Sequence, residues 1–380
     1  MSGRILFVVN DCWFLASHRF EIVVAAIEAG YEVHIAAHRD DTVAAFEDAG
    51  AHFHDWALEP RSTSLFTEWR AFASLRRIVS EVRPQILHLV TIKPLVYGGL
   101  LGRVLRVPAV VFAIAGMGNI FVARNLRERI IKFAASTAYR IILRHPNLHV
   151  IVQNEPDRVR FAEGGLVNPD NVILTHGSGV DLAEFSAAPE PAGAPVVLLA
   201  SRMLWTKGVA EFVTAARRIR ATHPDVRFAL AGRIDPGNVH SVLESDIEPW
   251  VEEGLIEWRG RCDDMPALLA ESHVVCLPTY YGEGLPKVLI EACAIGRACV
   301  CTDWLGCREI VKEGINGILV PPRDADALCD ALQVLIDDAP LRLRYGRAAR
   351  RIAEESYAVE TVVEGTLAMY GRALAVEERE

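Results

Sequence analysis

The chain has 380 residues, of which 51% are hydrophobic and 23% are charged, and its formal net charge is -9. This length exceeds one ordinary hydrophobic core, so two globular domains are expected, and the acidic balance argues against nucleic acid as the main partner. No apolar run reaches the roughly 18 residues that a membrane-spanning helix requires.

The first half of the chain alternates β-branched apolar runs with helical stretches. Predicted strands cover residues 4–9, 32–36, 86–90, 109–113 and 149–152. This alternation is typical of a parallel sheet with helices on both faces, which binds ligands beyond the carboxyl ends of its strands. Because the chain opens on a strand without the pattern of a signal peptide, and several of its eight cysteines lie in apolar runs, a cytoplasmic protein is expected.

A second alternating series follows residues 186–195, which are rich in proline and alanine and predict a linker. Its predicted strands cover residues 196–200, 226–231, 256–259, 274–277 and 298–302, and residues 357–374 predict an amphipathic helix. The expected domains are residues 1–188 and 189–356, with a C-terminal helix in residues 357–380.

The stretch at residues 279–292, TYYGEGLPKVLIEA, is the most informative part of the sequence. It follows a buried strand, places Glu283 in a glycine-rich turn at the carboxyl edge of a sheet, and then starts a helix near Pro286 that carries Glu291. The free N–H groups of such a helix form a seat for phosphate. A carboxylate beside an anion seat suits a ligand with hydroxyls and phosphates, such as a nucleotide sugar.

A second loop, at residues 201–208, joins a strand to a helix and carries Arg202 and Lys207 near its two ends. Arginine binds phosphate as a fork and lysine as a point charge, so the pair suits a diphosphate, although solvated surface cations are the commoner role. Asp263 and Asp264 stand at a predicted helix start and are interpreted as capping residues, not as a metal motif.

The stretch at residues 279–292 resembles the signature of family 4 retaining glycosyltransferases of the GT-B fold, two glutamates separated by seven residues around Gly-x-Pro. The resemblance implies an α/β fold with two Rossmann-like domains facing across a cleft and a C-terminal helix that crosses back. It also implies that Glu283 binds the transferred sugar and Glu291 the ribose. Arg202 and Lys207 would then stabilise the departing diphosphate without a metal or other cofactor.

The resemblance supplies further candidates for binding the donor and the acceptor. Lys287 either adds charge near the phosphates or faces solvent, and His88 is either an acceptor contact or a core histidine. Some family members carry a functional histidine near residues 113–121, whereas this chain has none there, so no general base is assigned. The donor candidates are Gly284, Leu285, Pro286, Lys287, Arg261, Cys262, Gly177 and Ser178, and the acceptor candidates are His18, Arg19, Lys93, Gly116 and Gly118.

The predicted reaction is retaining transfer of an N-acetylhexosamine or hexose from a UDP-sugar to a polyprenyl-diphosphate-linked glycan. The amino-acid sequence at residues 200–208 and 306–309 is similar to that of bacterial transferases that act on such lipids. The alternatives are a UDP-sugar 2-epimerase of the same fold and a non-catalytic nucleotide-sugar-binding protein.

A basic segment predicts contact with a membrane surface. Residues 121–144 contain five arginines and one lysine against one glutamate, and within a predicted helix at residues 125–144 the cations Arg129, Lys132 and Arg140 share one stripe. Such a stripe supports reversible, salt-sensitive attachment to anionic lipid at the inner face of the cytoplasmic membrane. The alternative is a solvated helix face.

Overall fold

The computed structural model describes residues 3–59, 64–114, 142–163, 167–280, 282 and 284–375. The chain separates into two compact units, one of residues 1–178 with 360–380 and one of residues 179–359. Each unit contains a parallel sheet with helices packed on it, which confirms the predicted α/β class.

The first unit is built on seven described strands. They are β1 (Arg4–Asp11), β2 (Glu32–His38), β3 (His52–Asp55), β4 (Ile86–Val90), β5 (Ala109–Ile114), β6 (Leu148–Val152) and β7 (Val172–Leu174). The helices between them are α1 (Cys12–Glu28), α2 (Val43–Asp48), α3 (Leu65–Val82), α4 (Ile92–Val104) and α5 (Glu155–Ala162). The strand order is β3-β2-β1-β4-β5-β6-β7.

The second unit is built on six described strands. They are β8 (Val196–Ala200), β9 (Arg227–Ala231), β10 (Glu257–Trp258), β11 (Val274–Leu277), β12 (Ala298–Thr302) and β13 (Gly317–Val320), in the order β10-β9-β8-β11-β12-β13. Its helices are α6 (Val209–Thr222), α7 (Glu244–Glu252), α8 (Met265–Ala270), α9 (Lys287–Ile295), α10 (Leu305–Ile310), α11 (Ala325–Asp337) and α12 (Ala339–Ser356).

The C-terminal helix α13 (Val359–Ala375) packs on the sheet of the first unit, as the resemblance implied. Its Val362, Met369, Tyr370 and Ala373 are buried among side chains of β1, β2 and α1. The first unit therefore closes its core with residues from the far end of the chain.

The strands that the sequence analysis missed lie at the edges of the sheets. β3 and β7 are the two edges of the first sheet and β13 is one edge of the second. An edge strand is short and half exposed, so it lacks the continuous apolar run of a central strand such as β4, all of whose residues are buried.

Residues 186–195 belong to the second unit and are bound to it, so interpreting them as a linker was wrong. The guanidinium of buried Arg297 donates hydrogen bonds to the carbonyls of Ala188 at 2.7 Å and Pro189 at 2.9 Å. Glu190 forms an ion pair with Arg342 at 2.9 Å. The boundary between the units lies earlier, at residues 178 and 179, because Val180 exchanges backbone hydrogen bonds with Tyr357 and Val359 of the second unit.

Candidate functional site

Each sheet has one point at which the strand order reverses. In the first unit it lies between β1 and β4, and in the second between β8 and β11. Helices leave neighbouring strands in opposite directions at such a point, which opens a crevice beyond the carboxyl ends of the strands. A ligand site is therefore expected in the loops that follow these four strands.

In the second unit, the loops after β8 and β11 contact each other directly. The loop after β8 ends in a short 3-10 turn, Trp205–Lys207, and Gly208 adopts φ +81° before α6 begins. A Cβ at Gly208 would overlap the carbonyl oxygen of Pro278, so this contact requires glycine. The backbone N–H of Tyr280 also donates to the carbonyl of Thr206 at 3.0 Å.

The two predicted phosphate-binding cations lie on this loop in different environments. Lys207 is 8% exposed just before the N-terminus of α6, whereas Arg202 is exposed. A cation beside a helix N-terminus is repelled by the positive end of the helix dipole. An anionic ligand bound between them would offset this repulsion. The arrangement suits a diphosphate held between one buried and one exposed cation.

Two acceptor atoms near Lys207 were missed by the sequence analysis. Thr206 Oγ1 and Glu211 Oε2 are buried and have no hydrogen-bond partner among the described residues. Glu211 also lies near Tyr280, and the pKa of Tyr280 is raised first by burial and then by that carboxylate. Since a buried polar group without a partner is costly, both atoms are candidates for ligand hydroxyls.

Glu291 lies in the second turn of α9, and the helix begins at Lys287 with Pro286 at the N-cap position. Glu291 is 5% exposed, and its Oε1 lies 3.0 Å from Lys287 Nζ. Lys287 therefore forms an ion pair with the buried carboxylate, and its proximity to the donor phosphates stays a prediction. Gly284 and Leu285 lie in the loop before this helix, and Glu283 lies outside the described residues.

The donor candidates Arg261 and Cys262 lie at the same edge of the second sheet, after β10. Gly260 adopts φ +63°, and its carbonyl accepts from the N–H of Gly232 at 2.7 Å, which joins the loops after β9 and β10. Arg261 is exposed and contacts Asp263 at 2.9 Å, and Cys262 is half-buried. Asp264 accepts from the N–H of Ala267, which confirms the capping interpretation for Asp264, whereas Asp263 pairs with Arg261 instead.

In the first unit, the strands at the reversal point end in two polar side chains that the sequence analysis missed. Val8 of β1 and Leu89 of β4 form the last pair between these strands, and Asn10 and Thr91 each lie two residues further along the chain at this edge of the sheet. Asn10 Oδ1 and Thr91 Oγ1 are buried without a hydrogen-bond partner among the residues that the structure describes. Thr91 also adopts φ +73°, a costly conformation for a β-branched residue. The signal was a polar residue directly after each predicted apolar run, at residues 4–9 and 86–90.

The predicted acceptor residues of the first unit are dispersed. Lys93 lies on α4 at the same edge, where its Nζ contacts Glu68 Oε1 at 2.7 Å. His18 lies on α1, stacked on Phe14. Arg19, also on α1, is 3% exposed, and burial lowers its pKa to about 10. Arg19 Nη1 is buried without a hydrogen-bond partner among the described residues, so contact between Arg19 and an acceptor stays a prediction.

His88 is a buried core histidine of β4. It is 0% exposed, and its Nδ1 lies 2.5 Å from Tyr370 Oη on α13. Burial lowers the pKa of His88 well below the ordinary value, so the ring is neutral.

The remaining donor and acceptor candidates lie either after β7 or outside the described residues. Gly177 and Ser178 end the first unit, just after β7, and Gly177 adopts φ +77°. Gly116, Gly118 and most of the basic segment at residues 125–144 lie outside the described residues. Within the described ranges, no group of histidine, cysteine, aspartate or glutamate side chains is arranged to hold a metal. None of the described helices is long and apolar enough to cross a membrane.

Two protein-family models match the chain, one in each unit. A model described as "Glycosyl transferase 4-like" matches residues 4–165, and one described as "Glycosyl transferases group 1" matches residues 194–338.

Two curated bacterial relatives are similar over nearly their whole length. One is the N,N'-diacetylbacillosaminyl-diphospho-undecaprenol alpha-1,3-N-acetylgalactosaminyltransferase of Campylobacter jejuni, 22% identical over 94% of this chain and 95% of the relative. The other is the UDP-Gal:alpha-D-GlcNAc-diphosphoundecaprenol alpha-1,3-galactosyltransferase of Escherichia coli, 25% identical over 90% of this chain and 87% of the relative. Among solved structures, Anabaena HepE in complex with UDP and glucose has a similar fold, with a TM-score of 0.75 and 18% identity over 97% of this chain and 99% of that one.

Proposed function

The chain belongs to the family 4-like glycosyltransferases, hexosyltransferases of the GT-B fold, and on that premise we propose that it transfers a hexose or N-acetylhexosamine from a UDP-sugar, with retention, to a polyprenyl-diphosphate-linked glycan. The two relatives described above are named for undecaprenyl-diphosphate-linked acceptors, which supports this acceptor class.

The observation that carries the donor half of the proposal is the pair of loops after β8 and β11. They bring buried Lys207 and exposed Arg202 to the edge at which α9 starts with the Lys287–Glu291 ion pair. Cations at this edge would bind the diphosphate, and the buried carboxylate of Glu291 would accept hydrogen bonds from ribose hydroxyls.

The proposed reaction replaces one bond to the anomeric carbon of the donor sugar by another on the same face. The bond to the β-phosphate oxygen breaks, an acceptor hydroxyl oxygen forms the new bond, and the hydroxyl proton passes to the departing phosphate. Negative charge develops on the diphosphate during this step, and fixed cations such as Arg202 and Lys207 stabilise it without needing to reorganise.

The acceptor half of the proposal rests on the reversal point of the first sheet. Asn10 Oδ1 and Thr91 Oγ1 are hydrogen-bond acceptors without partners among the described residues, so they would receive hydrogen bonds from acceptor hydroxyls. Neither group ionises in the physiological range, so they would orient the acceptor and leave its proton to the phosphate.

To test this proposal, the purified protein is incubated with a panel of UDP-sugars and short-chain polyprenyl-diphosphate sugars. Mass spectrometry then detects the product, and NMR determines the configuration of its new anomeric centre. Transfer with retained configuration is the expected result. Interconversion of a UDP-sugar without an acceptor would indicate the 2-epimerase, and UDP binding without turnover of any pair would indicate the non-catalytic binding protein.

Because the proposed acceptor is lipid-linked, we also propose peripheral attachment to the cytoplasmic face of the membrane. The basic segment at residues 125–144 remains a prediction for this contact. Its test is flotation with anionic vesicles, which replacing Arg129, Lys132 and Arg140 by glutamate should abolish at low salt.

A further inference from the structure

Helix α3 carries an exposed aromatic pair that the fold does not explain. Phe66 is 68% exposed and Trp69 is 66% exposed. They are three residues apart, so they share one face of the helix. Isolated exposed hydrophobic residues are ordinary, whereas two adjacent aromatic side chains with two thirds of their surface in water indicate a binding surface.

The opposite face of α3 is packed into the core of the first unit. Leu75 and Ile78 are buried against the sheet, and Trp56 Nε1 donates to the carbonyl of Ala71 at 2.8 Å. The helix is therefore fixed in rotation, and Phe66 and Trp69 cannot turn inward without unpacking it.

Three exposed arginines continue the aromatic face towards the C-terminal end of the helix. Arg70, Arg76 and Arg77 lie four, ten and eleven residues after Phe66, and Arg77 forms a loose ion pair with Glu81 at 3.8 Å. Three cations against this one carboxylate give the outward face of α3 a positive charge, although the whole chain has a net charge of -9.

The aromatic pair lies beside the candidate acceptor site. Helix α3 leads from β3 to the parallel strand β4, so its N-terminal turn lies at the carboxyl edge of the first sheet. Glu68, next to Trp69 in this turn, accepts from Lys93 Nζ at 2.7 Å and also contacts Tyr97. One ion pair thus joins the helix to α4, which begins directly after Thr91.

We propose that Phe66, Trp69 and the arginines of α3 form a docking surface for an anionic lipid bilayer, an inference that rests on the lipid-linked acceptor proposed above. Tryptophan and phenylalanine insert at the level of the lipid headgroups, and arginine binds their phosphates. The residues of this surface are other than those of the basic segment at residues 125–144. It holds the acceptor edge of the first unit at the membrane, where a polyprenyl diphosphate presents its sugar.

The test measures flotation of the full-length protein with phosphatidylcholine vesicles, with and without phosphatidylglycerol, at low and high salt. Binding is expected only with the anionic lipid at low salt. The variant F66S/W69S should lower the bound fraction about tenfold or more, and R70Q/R76Q/R77Q should do the same. The matched controls Val239→Ser, at a 93% exposed valine of the second unit, and Arg351→Gln should bind like the wild type.

Two further measurements test whether Trp69 meets the bilayer and whether this contact serves the reaction. Brominated lipid should quench part of the tryptophan fluorescence of the wild type and less of that of Trp69→Phe. Transfer to a short-chain acceptor in solution should be unchanged in F66S/W69S, whereas transfer to a vesicle-embedded acceptor should fall. Absence of transfer to any acceptor in the wild type would contradict the proposed function, whereas vesicle binding would still test the surface.

The inference is overturned if F66S/W69S floats like the wild type while the glutamate variant of residues 129, 132 and 140 does not. It is also overturned if wild-type protein self-associates and F66S/W69S is monomeric, since the face would then be an interface between copies of this chain.

Discussion

At the scale of single residues, Arg202 and Lys207 carry the same charge in different surroundings. Lys207 is nearly buried and Arg202 is exposed. Replacing either by alanine should lower kcat about a hundredfold, because one preorganised donor to developing charge contributes about 3 kcal/mol. Activity should persist in EDTA. The control Arg217→Ala, at an exposed arginine of α6, should leave kcat unchanged, and a full loss in EDTA that manganese restores would contradict the assignment.

Substitutions of the two glutamates in the stretch at residues 279–292 should have different effects, one mainly on UDP binding and the other mainly on kcat. Glu291→Gln removes the charge that pairs with Lys287 and should weaken UDP binding, because contacts to ribose change little along the reaction. Glu283→Gln should lower kcat more than it lowers UDP affinity if its contacts to the sugar tighten in the transition state. Calorimetry with UDP and steady-state kinetics test this, and a large loss of UDP affinity in Glu283→Gln would reverse the roles.

Asn10 and Thr91 offer a test in which function and stability diverge. Because Asn10 Oδ1 and Thr91 Oγ1 have no partner among the described residues, Asn10→Ala and Thr91→Val should not lower the unfolding temperature. Both should raise KM for the acceptor about tenfold, since a hydrogen bond contributes about 1 kcal/mol or more, with donor KM unchanged. If either variant lowers the unfolding temperature and leaves the acceptor KM unchanged, its role is structural.

At the scale of elements, the edge pair β2–β3 carries a histidine cluster. His34 Nδ1 lies 3.0 Å from His54 Nε2, its Nε2 lies 3.0 Å from Glu32, and its ring packs on that of His52. Burial lowers the pKa of His34 and of His54. Glu32 partly opposes the shift of His34 and Glu81 that of His54, whereas the neighbouring histidines and Arg4 add to it.

This cluster predicts a loss of stability in acid. Because both pKa values are lower in the folded state, the unfolded chain binds more protons as pH falls below about 6.5, and the free energy of unfolding decreases. Urea unfolding at pH 7.5 and at pH 5 measures this. The variant H34Q/H54Q should lose less stability over that interval than the wild type, and an equal loss would place the acid sensitivity elsewhere, for example at buried His88 or His149.

At the scale of the whole molecule, the C-terminal helix completes the first unit through Tyr370. Tyr370 is buried and contacts His88, which lies 282 positions earlier in the chain. Tyr370→Phe leaves His88 Nδ1 without this partner and should lower the free energy of unfolding by about 1–3 kcal/mol. The partly exposed Tyr31 beside it is the control, because Tyr31→Phe should change stability by less than about 0.5 kcal/mol. Equal stability of the two variants would show that the Tyr370–His88 contact contributes nothing.

The amino-acid sequence by itself determined the α/β class, the central strands and the positions along the chain of the candidate donor residues of the second unit. Central parallel strands are buried on both faces and read as continuous apolar runs, and the cations of residues 201–208 and the glutamates around Pro286 belong to local motifs. Each of these features is set by residues close together in the chain, so a pattern along the sequence is sufficient to find it.

Tertiary structure alone decided which side chains are buried and what they contact. Arg19, a predicted acceptor residue, is buried, Lys287 forms an ion pair with Glu291, and the supposed linker at residues 186–195 is held by Arg297 and Arg342. The strand order makes β1, which contains Asn10, the neighbour of β4, which Thr91 follows. These features depend on pairings between residues distant in the chain, which local periodicity does not encode because it reports only whether a position faces a core.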